Sequence, residues 1–306
     1  IKMSESTPRT GELLEELIGK TFAEDHVAVV NGEVDVAAAF SSLPFDHLLF
    51  TGSTTVGKHI MRAAAENLTP GTLELGGKNA GLVFADCDMD KAIEGTMRSA
   101  FANCGQVCLG TERVYVERSV FDEFVGRLKE AAEGLKIGPP DDAEANLGPL
   151  VSLEHREKVL SYYQKAVDDG ATVVTGGGVP EMPSELAGGA WVEPTIWTGL
   201  PDDSAVVTDE IFGPCCHIRP FDTEEEAIEL ANSLPYGLAS AIWSENITRA
   251  HRVAGQIEAG IIWVNSWFLR DLRTPFGGSK QSGVGREGGV HSLEFYTEMK
   301  NICVKL

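Results

Sequence analysis

Arg113-Val114-Tyr115-Val116-Glu117-Arg118-Ser119-Val120-Phe121-Asp122-Glu123-Phe124-Val125-Gly126-Arg127-Leu128 carries both periodicities that decide the fold. Residues 113–117 crowd β-branched and aromatic side chains, the composition of a strand. Beyond Ser119, an N-cap residue type, the apolar residues Val120, Phe121, Phe124, Val125 and Leu128 recur at helical spacing. A strand that feeds a helix is the unit of a parallel sheet. The same alternation runs along the chain, with strands expected over 27–30, 47–51, 80–84, 172–175, 216–219, 240–243, 261–265 and 302–306. Thr223 and Glu226 form a capping-box pair before Ala227, Ile228, Leu230 and Ala231. Ala250, Val253, Ala254 and Ile257 make a further stripe, closed by Gly260. The expected fold class is α/β with largely parallel sheets. Loops are expected at 138–146, 176–189 and 273–289, and the last holds glycines 277, 278, 283, 285, 288 and 289. Glycine-dense loops of that length are usually functional or mobile.

The composition excludes several classes. The 306 residues suffice for two domains, and 43% hydrophobic with 23% charged residues describes a globular chain. No apolar run approaches the ~20 residues of a membrane helix. A net charge of −21 disfavours nucleic acid and anionic membranes. The six cysteines are irregularly spaced and lack a CxxC pair or a His cluster. That pattern argues against a metal site or a disulfide framework and suits a reducing cytoplasm. The start, Ile1-Lys2-Met3-Ser4-Glu5, is polar almost at once and carries no signal-peptide pattern. Opening on Ile, the chain reads as the C-terminal part of a longer protein.

Four local patterns carry chemistry. Phe50-Thr51-Gly52-Ser53-Thr54-Thr55-Val56-Gly57 follows a strand and opens a helix, a place where backbone N–H groups meet an anion; an ordinary βα turn has the same residues. Leu73-Glu74-Leu75-Gly76-Gly77-Lys78 sets one glutamate between leucines. Desolvation there raises a carboxyl pKa and suits a general base; an exposed strand glutamate is the bland alternative. Asn103-Cys104-Gly105-Gln106-Val107-Cys108 follows the helix expected at 92–101. Its glycine turn can lift Cys108 into a cleft where N–H groups stabilise a thiolate or an oxyanion, whereas Cys104 reads as core. Glu210-Ile211-Phe212-Gly213-Pro214 is a rigid turn with one acid and one aromatic, able to clamp a ribose and a nicotinamide or simply to pack.

In this order the four patterns resemble the aldehyde dehydrogenase superfamily, with Glu74 in an LELGGK motif and Cys108, 34 residues on, in a GQxC motif. Tyr236-Gly237-Leu238-Ala239, Trp263-Val264-Asn265 and Pro275-Phe276-Gly277-Gly278 extend the resemblance over essentially the whole chain. It implies a partial Rossmann-like NAD domain over 1–76, a catalytic domain over 77–281 and a C-terminal oligomerisation segment over 282–306. It implies a thiohemiacetal and then a thioester on Cys108, with Glu74 activating water and no metal. Lys2 and Glu5, in a KPSE-like segment, match the cofactor-ribose residues. A carboxylate at Glu5 favours NAD over its 2′-phosphorylated form. Glu210 and Phe212 would hold the nicotinamide riboside, and Gly52 and Ser53 would lie near the pyrophosphate. The upstream half of the family brings the first cofactor strands and an Asn donor of the oxyanion hole, so this chain alone is expected to be weakly active.

The segment Trp267-Phe268-Leu269-Arg270-Asp271-Leu272-Arg273 lies where the resemblance puts the substrate tunnel. Arginine grips carboxylates by two hydrogen bonds, which makes Arg270 and Arg273 the substrate residues. Asp271 offers either one an ordinary surface ion pair, a reading at least as good for Arg273. From about residue 73 the chain resembles the 2-hydroxymuconic and 2-aminomuconic semialdehyde dehydrogenases. Before that, 42–47 and 61–68 look more like the coniferyl aldehyde dehydrogenase branch. Two other classes stay open: an inactive nucleotide-binding member and a cofactor-free thiol hydrolase, which would need a histidine at Cys108. His47 and His217 read as core histidines. The 302–306 strand, needing a neighbouring sheet edge, implies a homodimer or homotetramer.

Overall fold

The computed structural model describes residues 1–306, which divide into two compact units, Ile1–Leu73 and Glu74–Leu306. In the first unit, α1 (Pro8–Thr21) and α2 (Val34–Ser41) precede β1 (Leu48–Thr51), α3 (Thr54–Ala65) and β2 (Gly71–Glu74), whose last residue opens the second unit. Ser53 caps α3, its hydroxyl accepting from the Val56 N–H. The strand expected over 27–30 does not form. Val30 makes only an isolated parallel bridge to Lys2, its N–H donating to the Ile1 carbonyl at 2.8 Å and its carbonyl accepting from Met3 N–H at 3.1 Å.

The second unit is built on seven strands: β3 (Asn79–Val83), β4 (Thr111–Glu117), β5 (Thr172–Thr175), β6 (Thr195–Thr198), β7 (Cys215–Phe221), β9 (Ala239–Trp243) and β10 (Ile261–Val264), with the short β8 (Tyr236–Gly237) outside that sheet. The spatial order is β10-β9-β3-β4-β7-β6-β5, and all pairings are parallel except β5 with β6. Alternate residues face opposite layers. Val83, Val114 and Val116 join the core beneath α4 (Met89–Phe101), α5 (Phe121–Glu133) and α6 (Leu153–Asp168). Leu82, Tyr115 and Ile242 join the one beneath α8 (Glu224–Asn232) and α9 (Ile247–Ala254), the single-turn α7 (Ala205–Thr208) lying between α6 and α8 in sequence. Every residue of β3 and β9 is buried, as strands covered on both faces must be.

Several local expectations shift. Ser119 is no cap: it lies in a 3₁₀ turn, and α5 starts at Phe121 with Asp122 and Glu123 favouring its N-terminus. Thr223 does cap α8, accepting from the Glu226 N–H, but the Glu226 carboxylate reaches the N–H of Asp222 instead. α9 ends at Gly255 rather than Gly260. β6 escaped notice because Pro194 and Gly199 crowd a four-residue strand. After β11 (Ser279–Lys280), β12 (Gly283–Val284) and α10 (Gly289–Tyr296), the segment 302–306 pairs with no strand of this chain, and Ile302 and Val304 are each 75% exposed.

Candidate active site

α4 runs out at Phe101 into a 3₁₀ turn in which Asn103 (φ 51°), Cys104 (φ 57°) and Gly105 (φ 68°) are left-handed. Gly105 is required there, since a Cβ would lie 1.9 Å from the carbonyl oxygen of Gly213. Cys104 points into the core and donates its thiol to the Gly148 carbonyl at 2.6 Å. Cys108, half-buried, sits on the loop that follows. Asn79 Nδ2 donates to the carbonyls of Cys108 and Gly110, each at 2.8 Å, while Asn79 Oδ1 accepts from Ala239 N–H at 3.0 Å. Trp267 Nε1 donates to the Leu109 carbonyl at 3.0 Å. Burial pushes the Cys108 thiol pKa up, and the charges of Glu210 and Glu74 add to it. The backbone N–H groups of Cys108 and Leu109 pull it down. The charged side chains that act on Cys108 are thus two carboxylates, whereas a thiol hydrolase needs an imidazole there.

Glu74 is 7% exposed between Leu73 and Leu75, and its Oε1 has no hydrogen-bond partner. The backbone of Gly277 closes over it: a Cβ there would stand 2.9 Å from Oε1. Its pKa is raised to about 7, chiefly by burial and then by the charge of Glu287, against the lowering effect of Arg286 and Arg270. The desolvation expected between two leucines is present, and the exposed-strand alternative is not.

Glu210 accepts from Gly77 N–H at 2.9 Å, and its carboxylate fills the space where a Cβ of Gly76 would stand. Burial takes its pKa to about 7 as well, against the lowering effect of the Gly77 bond. Phe212 is left-handed (φ 62°). Apart from Lys78 of the LELGGK stretch, the turn is held by residues that the motifs did not point to. Glu112 accepts from Ile211 N–H at 3.1 Å and Phe212 N–H at 2.9 Å, and Lys78 Nζ meets the same carboxylate at 2.5 Å. Lys158 Nζ reaches the carbonyls of Glu210 and Ile211, and His155 Nε2 lies 2.7 Å from the Phe212 carbonyl. One signal could have found Glu112: it shares strand parity with the buried Val114 and Val116. His217, by contrast, is a core histidine: its ring accepts from Leu200 N–H, and burial lowers its pKa to about 4.

The two loop arginines separate. Arg270 donates to Glu287 Oε1 at 2.7 Å, and its Cζ lies 4.1 Å from the Phe276 ring centroid. Arg273 corrects the expectation placed on it: 88% exposed, it forks onto Asp271 two residues away, because a close local partner costs little chain ordering. In the first unit, Lys2 Nζ stands 3.8 Å from Glu5, and Gly52 and Ser53 join β1 to α3, with the Ser53 hydroxyl engaged as the cap.

The family model for the aldehyde dehydrogenase family matches residues 1–302. The chain is 74% identical over 310 residues to the 2-hydroxymuconic semialdehyde dehydrogenase of Pseudomonas putida, covering all of this chain and 64% of that protein. To a 2-aminomuconic 6-semialdehyde dehydrogenase of Pseudomonas it is 50% identical over 316 residues, covering 63% of that protein. The match to the P. putida protein includes the first part of the chain. Among solved structures, betaine aldehyde dehydrogenase of Staphylococcus aureus in complex with NAD+ superposes with a TM-score of 0.90 at 38% identity, over 96% of this chain and 59% of that one. The chain thus spans about 64% of the length of the first of these curated relatives. Matched over nearly its whole length, and carrying the cysteine and glutamate motifs in one α/β unit, the chain belongs to the aldehyde dehydrogenase family.

Proposed function

We propose that the protein oxidises an aldehyde with a distal carboxylate, such as 2-hydroxymuconic semialdehyde, to the acid, using NAD. The observation that carries this reading is Glu74: a buried carboxylate with a partnerless oxygen, a pKa near 7, and a charge felt by Cys108 in the same unit. A group poised near neutrality is suited to take a proton from water.

Cys108 would attack the aldehyde carbon as a thiolate, its sulfur forming the new C–S bond. N–H donors of the loop, that of Cys108 among them, would hold the oxyanion. Bound NAD supplies the acceptor for the hydride, which leaves a thioester on Cys108. Glu74 would then take a proton from the water that hydrolyses it. The residues present fit such a cofactor: the Glu210 carboxylate is held by Gly77 N–H at the rigid turn, suited to a ribose diol, and Phe212 follows it. The first unit, taken by itself, offers Lys2 and Glu5 for a ribose and Gly52 and Ser53 for a pyrophosphate. Relatives named for muconic semialdehydes and the guanidinium of Arg270 near Glu74 support the substrate class. We further assign a homodimer or homotetramer built through the exposed 302–306 segment, and a cytoplasmic setting, which suits six free thiols.

A panel with NAD tests the reading: a carboxylated semialdehyde, coniferaldehyde and an alkyl aldehyde. The expected result is a kcat/KM ranked in that order, abolished by Cys108→Ala. Turnover that survives Cys108→Ala would sink it, and equal rates across the panel would remove the substrate assignment.

A further inference from the structure

Glu287 belongs to none of the motifs, yet it meets the Arg270 loop twice. Phe276 and Glu287 exchange backbone hydrogen bonds at 2.8 Å in each direction. The Glu287 carboxylate accepts from Arg270 Nη2 through one oxygen. One face of the guanidinium rests on Phe276, so the ring fixes its plane while its edge carries the carboxylate. The pair is neither sealed nor fully open, with Arg270 35% and Glu287 28% exposed. It also lies beside the reacting groups, since Glu74 feels both charges and the residue after Phe276 is Gly277, packed on the Glu74 carboxylate.

A guanidinium is a planar fork that one carboxylate satisfies with two parallel bonds. Glu287 makes a single bond to it. We propose that Glu287 is a specificity-determining residue: it occupies the carboxylate seat of Arg270 until the distal carboxylate of a substrate displaces it. This rests on the substrate role given to Arg270 above. A substrate carboxylate that bonds through both oxygens outcompetes a single bond, and the displaced Glu287 is exposed enough to be hydrated. An aldehyde with an apolar end has nothing to offer the fork, and would have to leave the pair closed. Glu287 then sets the ratio of affinities by competing with carboxylated aldehydes, which holds the preference for them below what Arg270 alone would give.

The test uses the whole protein with NAD and two aldehydes of equal length, one ending in a carboxylate and one in a methyl group. The readout is the ratio of their KM values in the parent, Glu287→Gln, Glu287→Asp and Arg270→Gln. Removing a competing, partly exposed charge should shift the ratio about fivefold towards the carboxylated aldehyde in Glu287→Gln. Glu287→Asp, which withdraws the carboxylate by one methylene, should shift it the same way by about twofold and serves if the glutamine variant does not fold. Arg270→Gln should shift the ratio at least tenfold the other way. If Arg270→Gln acts as expected but the Glu287 variants leave the ratio unchanged or raise the KM for the carboxylated aldehyde, Glu287 merely props the arginine and the proposal is overturned. If Arg270→Gln moves neither KM, the substrate role of Arg270 fails, and the proposal falls with it.

Discussion

Asn79, at the head of a central strand, donates from one nitrogen to the carbonyls of both Cys108 and Gly110, and its oxygen takes the Ala239 N–H. The loop that carries the sulfur is thereby tied to the sheet by a single side chain, and every atom of that amide is in use.

Replacing it by leucine should therefore do two things. It strands two carbonyls and an N–H, which costs about 2–3 kcal/mol, read as a lower denaturant midpoint with unchanged slope. It also frees the loop, so iodoacetamide should label Cys108 with altered rate and weaker protection by aldehyde. An unchanged midpoint would mean that these bonds contribute nothing to the fold.

Glu74 makes stability depend on pH in a stated direction. Its pKa of about 7 when folded stands above the 4.5 of a free glutamate. The folded state keeps a proton that the unfolded chain has lost, so the full contribution exists below about pH 4.5 and is lost as pH rises through about 7. Above that, the ionised carboxylate costs about 3 kcal/mol. Glu74→Gln should remove this cost, gaining in melting temperature over the parent between pH 5 and pH 8 while losing thioester hydrolysis. Glu210 shifts similarly but remains in both proteins, so the difference isolates Glu74. A difference that stays flat with pH would contradict the burial argument.

The order of charges acting on Cys108 is also measurable. Glu210 raises its pKa more than Glu74 does. The pH profile of alkylation should move to lower pH in Glu210→Gln and by a smaller amount in Glu74→Gln. The reverse order would place the sulfur nearer to Glu74 than to Glu210.

Glu112 and Lys78 form a buried pair, at 8% and 1% side-chain exposure, that also holds the backbone of the Glu210–Phe212 turn. Lys78→Met leaves a carboxylate buried without its cation, a loss of about 3–5 kcal/mol. Weaker NAD binding should accompany the drop in unfolding free energy. Stability lost with NAD affinity intact would detach this turn from the cofactor.

Arg273→Gln provides the contrast to Arg270. With its guanidinium exposed and bound to Asp271, it should leave the KM of a carboxylated aldehyde within about twofold of the parent, as exposed ion pairs contribute little. A tenfold rise would restore Arg273 as a substrate residue.

The sequence by itself determined the α/β class, the parallel alternation and the cap at Thr223, and it offered burial of Glu74 between its leucines as one of two readings. These are properties of one element at a time, and periodicity or a neighbouring residue type reports them directly. Only the tertiary structure decided which groups meet: Glu210 with Gly77 across 133 residues, Glu112 with Phe212 across 100, Asn79 with Ala239 across 160. Such partners are set by sheet order and crossover connections, which leave no periodic trace in the chain. The same holds for the two arginines. They look alike in sequence, and only the fold brings Glu287 to one while the other is satisfied by its own neighbour.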